Sequence, residues 1–187
     1  MHINDPFRSM ILGQHDYINL IYLCDLFETQ WTLLYRASMD GFGSNDFHSR
    51  CDNISKTLTI LKAKETGYIF GGFTEKLWQG DEVQKSDSKA FIFSLTNKDK
   101  IPCQMKIPNK ANAIFCAKEA GPSFGTGEIH VVHNSNTNKP YAYLDSFSDL
   151  GGTYVHSNYA YGSAEAKSFL AGSYNFTLDE IEVYKKE

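Results

Sequence analysis

The segment Ala90–Leu95 (AFIFSL) decides the fold, because its large apolar side chains alternate with Ile92 and Ser94. A period of two is the period of a β-strand. Apolar residues at both alternating sets of positions indicate a strand that is buried on both faces, or nearly so. The centre of the chain is therefore predicted to be a sheet covered on two sides.

Further short strand patterns surround this segment. Leu58 and Ile60 alternate with threonines, and the other strand-like stretches are Gln104–Ile107, Ala113–Cys116, Glu128–Val132, Ser168–Leu170 and Phe176–Tyr184. Turn signals separate them, at Asn97–Lys100, Pro108–Asn109, Gly121–Pro122, Asn134–Pro140 and Gly151–Gly152. This spacing predicts a mainly β (α+β) fold, a two-sheet antiparallel β-sandwich with a few short peripheral helices.

Two helices are predicted ahead of the strands. Ser9 is positioned to cap a helix that runs to about Phe27 and packs on the sandwich near Trp31, and Ser44 is positioned to start a short helix that stops at Asp52. The apolar stripe of the first helix is imperfect and contains Ile11, Ile18 and Ile21, with Cys24 and Leu26 as further candidates. We expect an N-terminal lead and helix over residues 1–28 and one domain over residues 29–187.

Bulk composition limits the function classes. The 187 residues carry a formal net charge of −4, which disfavours nucleic acid as a partner. The longest apolar-rich stretch, Ile18–Leu26, is too short to span a membrane, and no signal peptide is recognised, so direct membrane insertion is not expected. The four cysteines form no CxxC pair and indicate reduced thiols in an intracellular protein, soluble or peripheral to a membrane complex.

Glu180 and Glu182 are the most prominent candidate site residues. At i and i+2 of a strand their side chains point to the same face, with the carboxylates roughly 7 Å apart. This spacing suits shared proton transfer or one divalent cation. The alternative is an ordinary solvated face opposite Ile181 and Val183, which would point inward.

Asp40 and Arg36 form a second candidate. One interpretation places both at a functional rim, and the other makes Asp40–Gly41 a turn in which Gly41 has a positive φ. In either case Arg36 could pair with an acidic residue of a partner or of the C-terminal strand.

The histidines, cysteines and glycines favour structural roles. His48 and Cys51 lack the further ligands that zinc needs, and Cys51 lacks an adjacent base. His130 and His133 are expected on opposite sides of a strand. Gly71–Gly72 and Gly121–Gly125 do not match phosphate-binding loops, and they indicate a bulge or close backbone approach and a tight turn. No cofactor and no metal is expected.

Seven blocks in a fixed order carry a family resemblance: Trp31–Arg36 (WTLLYR), Asp40–Phe42 (DGF), Phe47–Asp52 (FHSRCD), Gly67–Phe73 (GYIFGGF), Ala90–Leu95 (AFIFSL), Gly121–Gly125 (GPSFG) and Leu178–Val183 (LDEIEV). In this order the chain resembles the TLDc domain family of oxidation-resistance proteins and nuclear-receptor coactivators. Tyr161–Gly172 (YGSAEAKSFLAG) resembles a variant common in stand-alone protist proteins. The resemblance implies two packed sheets with peripheral helices.

The resemblance also implies a function. Family members are associated with protection against oxidative damage and with binding the vacuolar-type proton ATPase. We therefore expect a protein-binding or regulatory module acting on such an ATPase or another large assembly, with Arg36, Asp40, Glu180 and Glu182 as candidate partner-binding residues. Two alternatives stay open: an enzyme of unknown class that uses Glu180, Glu182 and Asp40 as a carboxylate cluster, and a structural subunit of a larger assembly.

Overall fold

A six-stranded antiparallel sheet forms the centre of the molecule in a computed structural model that describes residues 7–27, 30–108, 111–137 and 145–187. The predicted boundary between residues 28 and 29 and the first six residues of the lead lie outside these described residues. The strands are β1 (Trp31–Arg36), β2 (Thr57–Ala63), β3 (Ile69–Thr74), β5 (Phe91–Ser94), β6 (Cys103–Lys106) and β11 (Leu178–Lys186). Their order is β1-β11-β2-β3-β5-β6, so the last strand of the chain lies between β1 and β2.

Two smaller antiparallel sheets pack below this sheet. One contains β4 (Val83–Lys85), β7 (Ile114–Cys116) and β8 (Ser123–Phe124), and the other contains β9 (Ser146–Phe147) and β10 (Asn175–Phe176). Isolated bridges join them, from Phe124 to Ile129 and from His130 to Phe147. The mainly β, antiparallel architecture that the sequence predicts is confirmed.

The described helices are short: α1 (Gln14–Cys24), α2 (Ala37–Asp40), α3 (Ser44–Cys51) and α4 (Ala164–Ser168). None of the helices described is long and apolar enough to cross a membrane. Two strand predictions are wrong. Ser168–Leu170 follows from the end of α4 into a turn, and Glu128–Val132 makes only isolated bridges. Both segments are buried enough to look like strands, but burial alone does not distinguish a strand from a packed turn.

The central sheet is covered on both faces. On the inner face, one apolar cluster joins it to the smaller sheets and α4 through residues such as Leu61, Phe124 and Val183. On the outer face, a second cluster joins it to the N-terminal segment (residues 7–26), with Phe73, Phe91, Phe93, Leu95 and Tyr184 contributed by the sheet and adjoining turns. The alternation in Ala90–Leu95 has this origin, because Ile92 faces the inner cluster and its neighbours face the outer one.

The N-terminal segment packs on the sheet face that carries Trp31, as predicted, but its helix is shorter than expected. α1 begins only at Gln14, after Gly13, whose N–H donates to Asp16 Oδ2 at 3.1 Å. Ser9 therefore does not cap the helix. The buried residues of α1 are Leu20, Ile21 and Cys24.

Glycines at the centre of β3 let other groups approach the strand closely. A Cβ at Gly71 would overlap the main-chain oxygen of Thr59, and a Cβ at Gly72 would lie 2.7 Å from the ring of Phe124. β3 pairs with both neighbours without a register shift. The close-approach interpretation of Gly71–Gly72 is therefore confirmed, and a bulge is not present in this strand.

Candidate functional site

A β-bulge in β1 sets the geometry of the candidate site. The pairing with β11 shifts between Leu33 and Tyr35, so that Leu34 is an extra residue. The shift places Tyr35 in the inner core and Arg36 directly opposite Glu182 on the outer face. Without the extra residue, the two-residue period would turn Arg36 toward the inner core. The bulge therefore brings the guanidinium to the carboxylate.

Arg36 and Glu182 form a buried ion pair. Nε and Nη2 of the arginine both lie 2.8 Å from Oε1 of the glutamate. Burial disfavours the charged guanidinium, but the charge and hydrogen bonds of Glu182 outweigh this effect, so the pKa of Arg36 is raised. Of the two pairings of Arg36 that the sequence leaves open, the structure contains the one with the C-terminal strand.

The N-terminal segment completes the coordination of this pair. Ser9 Oγ donates to Glu182 Oε2 at 2.5 Å, and the N–H of Met10 donates to Oε1 at 2.8 Å. Arg36 Nη2 also donates to the main-chain oxygen of Arg8 at 3.0 Å. Tyr184 OH donates to Glu182 Oε2 at 2.7 Å. We call this arrangement the clasp, formed by Arg36, Glu182, Tyr184 and residues 8–10.

The solvated-face interpretation of Glu180 and Glu182 is wrong. Both side chains do point to the face opposite Ile181 and Val183, but Glu182 is 0% exposed and Glu180 is 7% exposed. The reason is that β11 is an interior strand, flanked by β1 and β2, and that the N-terminal segment covers its outer face. An alternation of acidic and apolar residues here reflects two different buried environments.

Glu180 and Asp40 anchor α2. Glu180 Oε1 accepts hydrogen bonds from the N–H groups of Ser38 and Ile181, both at 3.0 Å. Asp40 Oδ2 accepts the N–H of Arg36 at 2.9 Å, and Oδ1 lies 2.6 Å from Nη2 of Arg50. Asp40 ends α2, and Gly41 follows with a φ of 109°, so the structure has the positive φ at Gly41 that the turn interpretation requires.

An aromatic pocket adjoins the clasp. Phe7 stacks on Trp31 with centroids 5.6 Å apart and meets the ring of Tyr184 edge-on at 5.0 Å. Trp31 is buried, and its Nε1 donor has no hydrogen-bond partner within the described part of the chain. An unsatisfied buried donor is costly, since its interaction with water is lost without replacement.

Beside the clasp lies a surface that we call the α2 surface, formed by Met39, Asp40 and Arg50, in which the side chain of Asp40 is only 15% exposed. Met39 is 72% exposed, and its sulfur lies 3.9 Å from Arg36 Nη1. Arg50, on α3, is about half exposed and pairs with Asp40. Methionine is flexible and polarizable, and it is used frequently at surfaces that bind several partners.

The cysteines and His48 are not placed to act as nucleophiles or metal ligands. Burial raises the pKa of the Cys103 and Cys116 thiols to about 11 and that of Cys24 to about 12, and it raises the pKa of Cys51 further. At neutral pH these thiols are protonated and poor nucleophiles. His48 Nδ1 lies 2.8 Å from Asp52 Oδ1, and Nε2 lies 3.0 Å from two main-chain oxygens, so both nitrogens are already used.

His130 and His133, which the sequence places three residues apart, make different contacts. His130 stacks on Phe147 with centroids 4.9 Å apart, whereas His133 Nδ1 accepts the N–H of Ser44 at the start of α3. Across residues 7–27, 30–108, 111–137 and 145–187, no group of three or more histidine, cysteine or acidic side chains could hold a metal ion.

Sequence patterns missed Ser9 and Tyr184, which take part in the clasp, and the bulge at Leu34, which places Arg36 opposite Glu182. The sequence contains no local signal for these three features, because they depend on contacts with Glu182 across the sheet. Another missed residue is Glu128, whose buried carboxylate accepts N–H groups from Thr126, Thr153 and Tyr154. Burial raises the pKa of Glu128 despite these hydrogen bonds.

Comparison with known proteins supports one family. The model of the TLDc domain matches residues 6–187. A protein of Gallus gallus, "MTOR-associated protein MEAK7", is 24% identical over 189 residues, which cover 95% of this chain. A Danio rerio protein of the same name is 35% identical over 66 residues, 35% of this chain and 14% of its own length. This chain spans 36% of the chicken protein. With nearly every residue matched, the chain belongs to the TLDc domain family.

Proposed function

We propose that this TLDc domain is a regulatory protein-binding module whose partner docks on the α2 surface. The observation that carries the proposal is the contrast between the clasp and its surroundings. The candidate carboxyl groups of Glu180, Glu182 and Asp40 accept hydrogen bonds from the protein's own groups, while Met39 beside them is exposed.

The same contrast argues against the enzyme hypothesis. A catalytic carboxylate must reach a substrate, yet Glu182 is completely buried and already receives donors on both oxygens. The carboxylate of Glu180 accepts N–H groups from Ser38 at the start of α2 and from Ile181 in β11. These contacts favour a role for the carboxylates in positioning the α2 surface rather than in turnover.

The partner that we propose is a subunit of a large assembly. The vacuolar-type proton ATPase is the first candidate because of the family resemblance, and the chain would then be peripheral to that membrane complex. The name of the chicken relative associates that protein with MTOR, which makes an MTOR-containing assembly the second candidate. A role in oxidative-stress resistance would act through such a partner, because burial keeps the thiols of this chain protonated.

The proposal is tested by affinity purification from the native source with three chains as bait: wild type, Met39→Glu and Ile101→Glu. Mass spectrometry then identifies the proteins that each chain retains. Ile101 is a matched control because it is 67% exposed and lies just before β6, at the opposite edge of the sheet from β1. We expect a stoichiometric partner with the wild-type and Ile101→Glu chains and its loss with Met39→Glu. The same partner set for all three chains would contradict the α2 surface.

A further inference from the structure

We infer that the outer sheet face at Trp31, Arg36 and Glu182 is a peptide-binding site, which the chain's own Phe7–Met10 occupies and which takes a partner segment of similar chemistry. That segment has an aromatic residue two positions before a serine or threonine. The inference rests on the proposed function, since it specifies the chemistry of the partner.

The aromatic position is defined by a pocket. Phe7 is buried between the stacked ring of Trp31 and the edge-on ring of Tyr184. Both receptor rings belong to the sheet, on β1 and β11. Aromatic rings gain from such contacts beyond the burial of their area, so this pocket selects for an aromatic residue.

The next three positions are recognised mainly through polar atoms. Arg36 donates to the main-chain oxygen of residue 8, and Glu182 accepts the hydroxyl of residue 9 and the N–H of residue 10. The side chains of Arg8 and Met10 are exposed. Only the hydroxyl residue is therefore specified by its side chain, and charge-assisted hydrogen bonds to a buried ion pair make that recognition strong.

The chain's own segment is an imperfect occupant in two respects. Arg8 has a φ of 47°, in the left-handed region that disfavours residues with a Cβ. Trp31 Nε1 also lacks an acceptor among the described residues while Phe7 is in place. A partner segment would bind better than the chain's own residues if it had glycine or asparagine at the position of Arg8 and an oxygen that reaches Trp31 Nε1.

The connection between residues 7–13 and the sheet permits a second peptide to replace them. Residues 7–13 are in neither helix nor strand, so their removal breaks no sheet pairing. The covalent connection gives the chain's own segment a high effective concentration. A free peptide should therefore compete poorly with the wild-type segment and well with a weakened one.

The test uses the full chain and a fluorescent peptide with the sequence of residues 5–14 and the change Arg8→Gly. We expect a Phe7→Ala/Ser9→Ala chain to bind this peptide about tenfold or more tightly than the wild-type chain does. Replacing the peptide's serine by alanine, or adding Glu182→Gln to the chain, should weaken binding about tenfold or more. No binding by a doubly substituted chain with a native circular dichroism spectrum would overturn the inference.

Hydrogen exchange of the wild-type chain provides an independent measurement that needs no substitution. Saturating peptide should accelerate exchange of the Met10 amide, which is released from Glu182, and leave the β11 amides unchanged. An unchanged Met10 amide under saturating peptide would overturn the inference, even if the substituted chain does not fold. Both readouts are independent of partner capture, so failure of the α2 surface and failure of this site can be told apart.

Discussion

Arg36 lies directly across the β1–β11 ladder from Glu182, and both residues are buried, since they are 9% and 0% exposed. Each charge therefore depends on the other and on the Ser9, Met10 and Tyr184 groups around the carboxylate. Removing one partner of a buried pair leaves an uncompensated charge in a low-dielectric environment.

Glu182→Gln should consequently lower the free energy of unfolding by about 3–5 kcal/mol, because Arg36 would stay buried without its counter-ion. Glu187→Gln, at the exposed end of the chain, is the control and should change stability by less than about 0.5 kcal/mol. Urea denaturation monitored by tryptophan fluorescence measures both. A Glu182→Gln chain as stable as the control would show that the pair does not hold β1 and the N-terminal segment in place.

Packing of the hydrophobic core is tested at Phe93, which is fully buried in the outer cluster. Phe93→Ala should destabilise the domain by about 3–5 kcal/mol through lost transfer free energy and the cavity left behind. Phe27→Ala, at a half-exposed ring, serves as the control for loss of a phenylalanine. Equal loss in the two variants would contradict a core centred on β5.

Gly71→Ala tests the close packing of β3. The added methyl group would overlap the main-chain oxygen of Thr59, which cannot move without disrupting β2. We expect a loss of about 1–3 kcal/mol from overpacking. Gly13→Ala is a suitable control, because its Cβ would meet its nearest neighbour at 3.4 Å, an ordinary contact. A Gly71→Ala melting temperature equal to wild type would rule out the close approach.

His130 should make stability depend on pH. Burial lowers its pKa from the ordinary value of 6.5, so the unfolded chain takes up a proton at His130 at a higher pH than the folded chain. Its contribution to stability is present above pH 6.5 and is lost as the pH falls below it. His130→Phe retains an aromatic ring against Phe147 and removes this dependence. Thermal denaturation between about pH 7 and pH 5 compares the two chains, and parallel curves would contradict the lowered pKa.

The sheet was largely predictable from sequence, and the clasp was only partly so. Alternation in Ala90–Leu95 and the turn signals report burial and chain reversal, which are local properties. The burial predicted at Phe91, Phe93, Leu95, Ile181 and Val183 is confirmed. Pairing of Arg36 with the C-terminal strand was one of two possibilities, because strand order depends on contacts between distant parts of the chain.

Burial of Glu182 could not be predicted from its own neighbours. It depends on β11 lying between β1 and β2 and on an irregular segment more than 170 residues earlier in the chain, as the separations of 173 and 172 residues in its Ser9 and Met10 contacts show. The predicted start of the first helix was wrong for the same reason. Ser9 matches a helix cap in sequence, but its hydroxyl donates to Glu182, and the helix begins at Gln14.

The most direct test of the central claim is the dissociation constant of the purified partner for three full chains: wild type, Met39→Glu and Ile101→Glu. If the α2 surface is the docking site, Met39→Glu should weaken binding about tenfold or more, or about 1.4 kcal/mol, because a charge would replace an apolar anchor. Ile101→Glu should bind like wild type. Equal dissociation constants for all three chains, each with a native circular dichroism spectrum, would contradict the account.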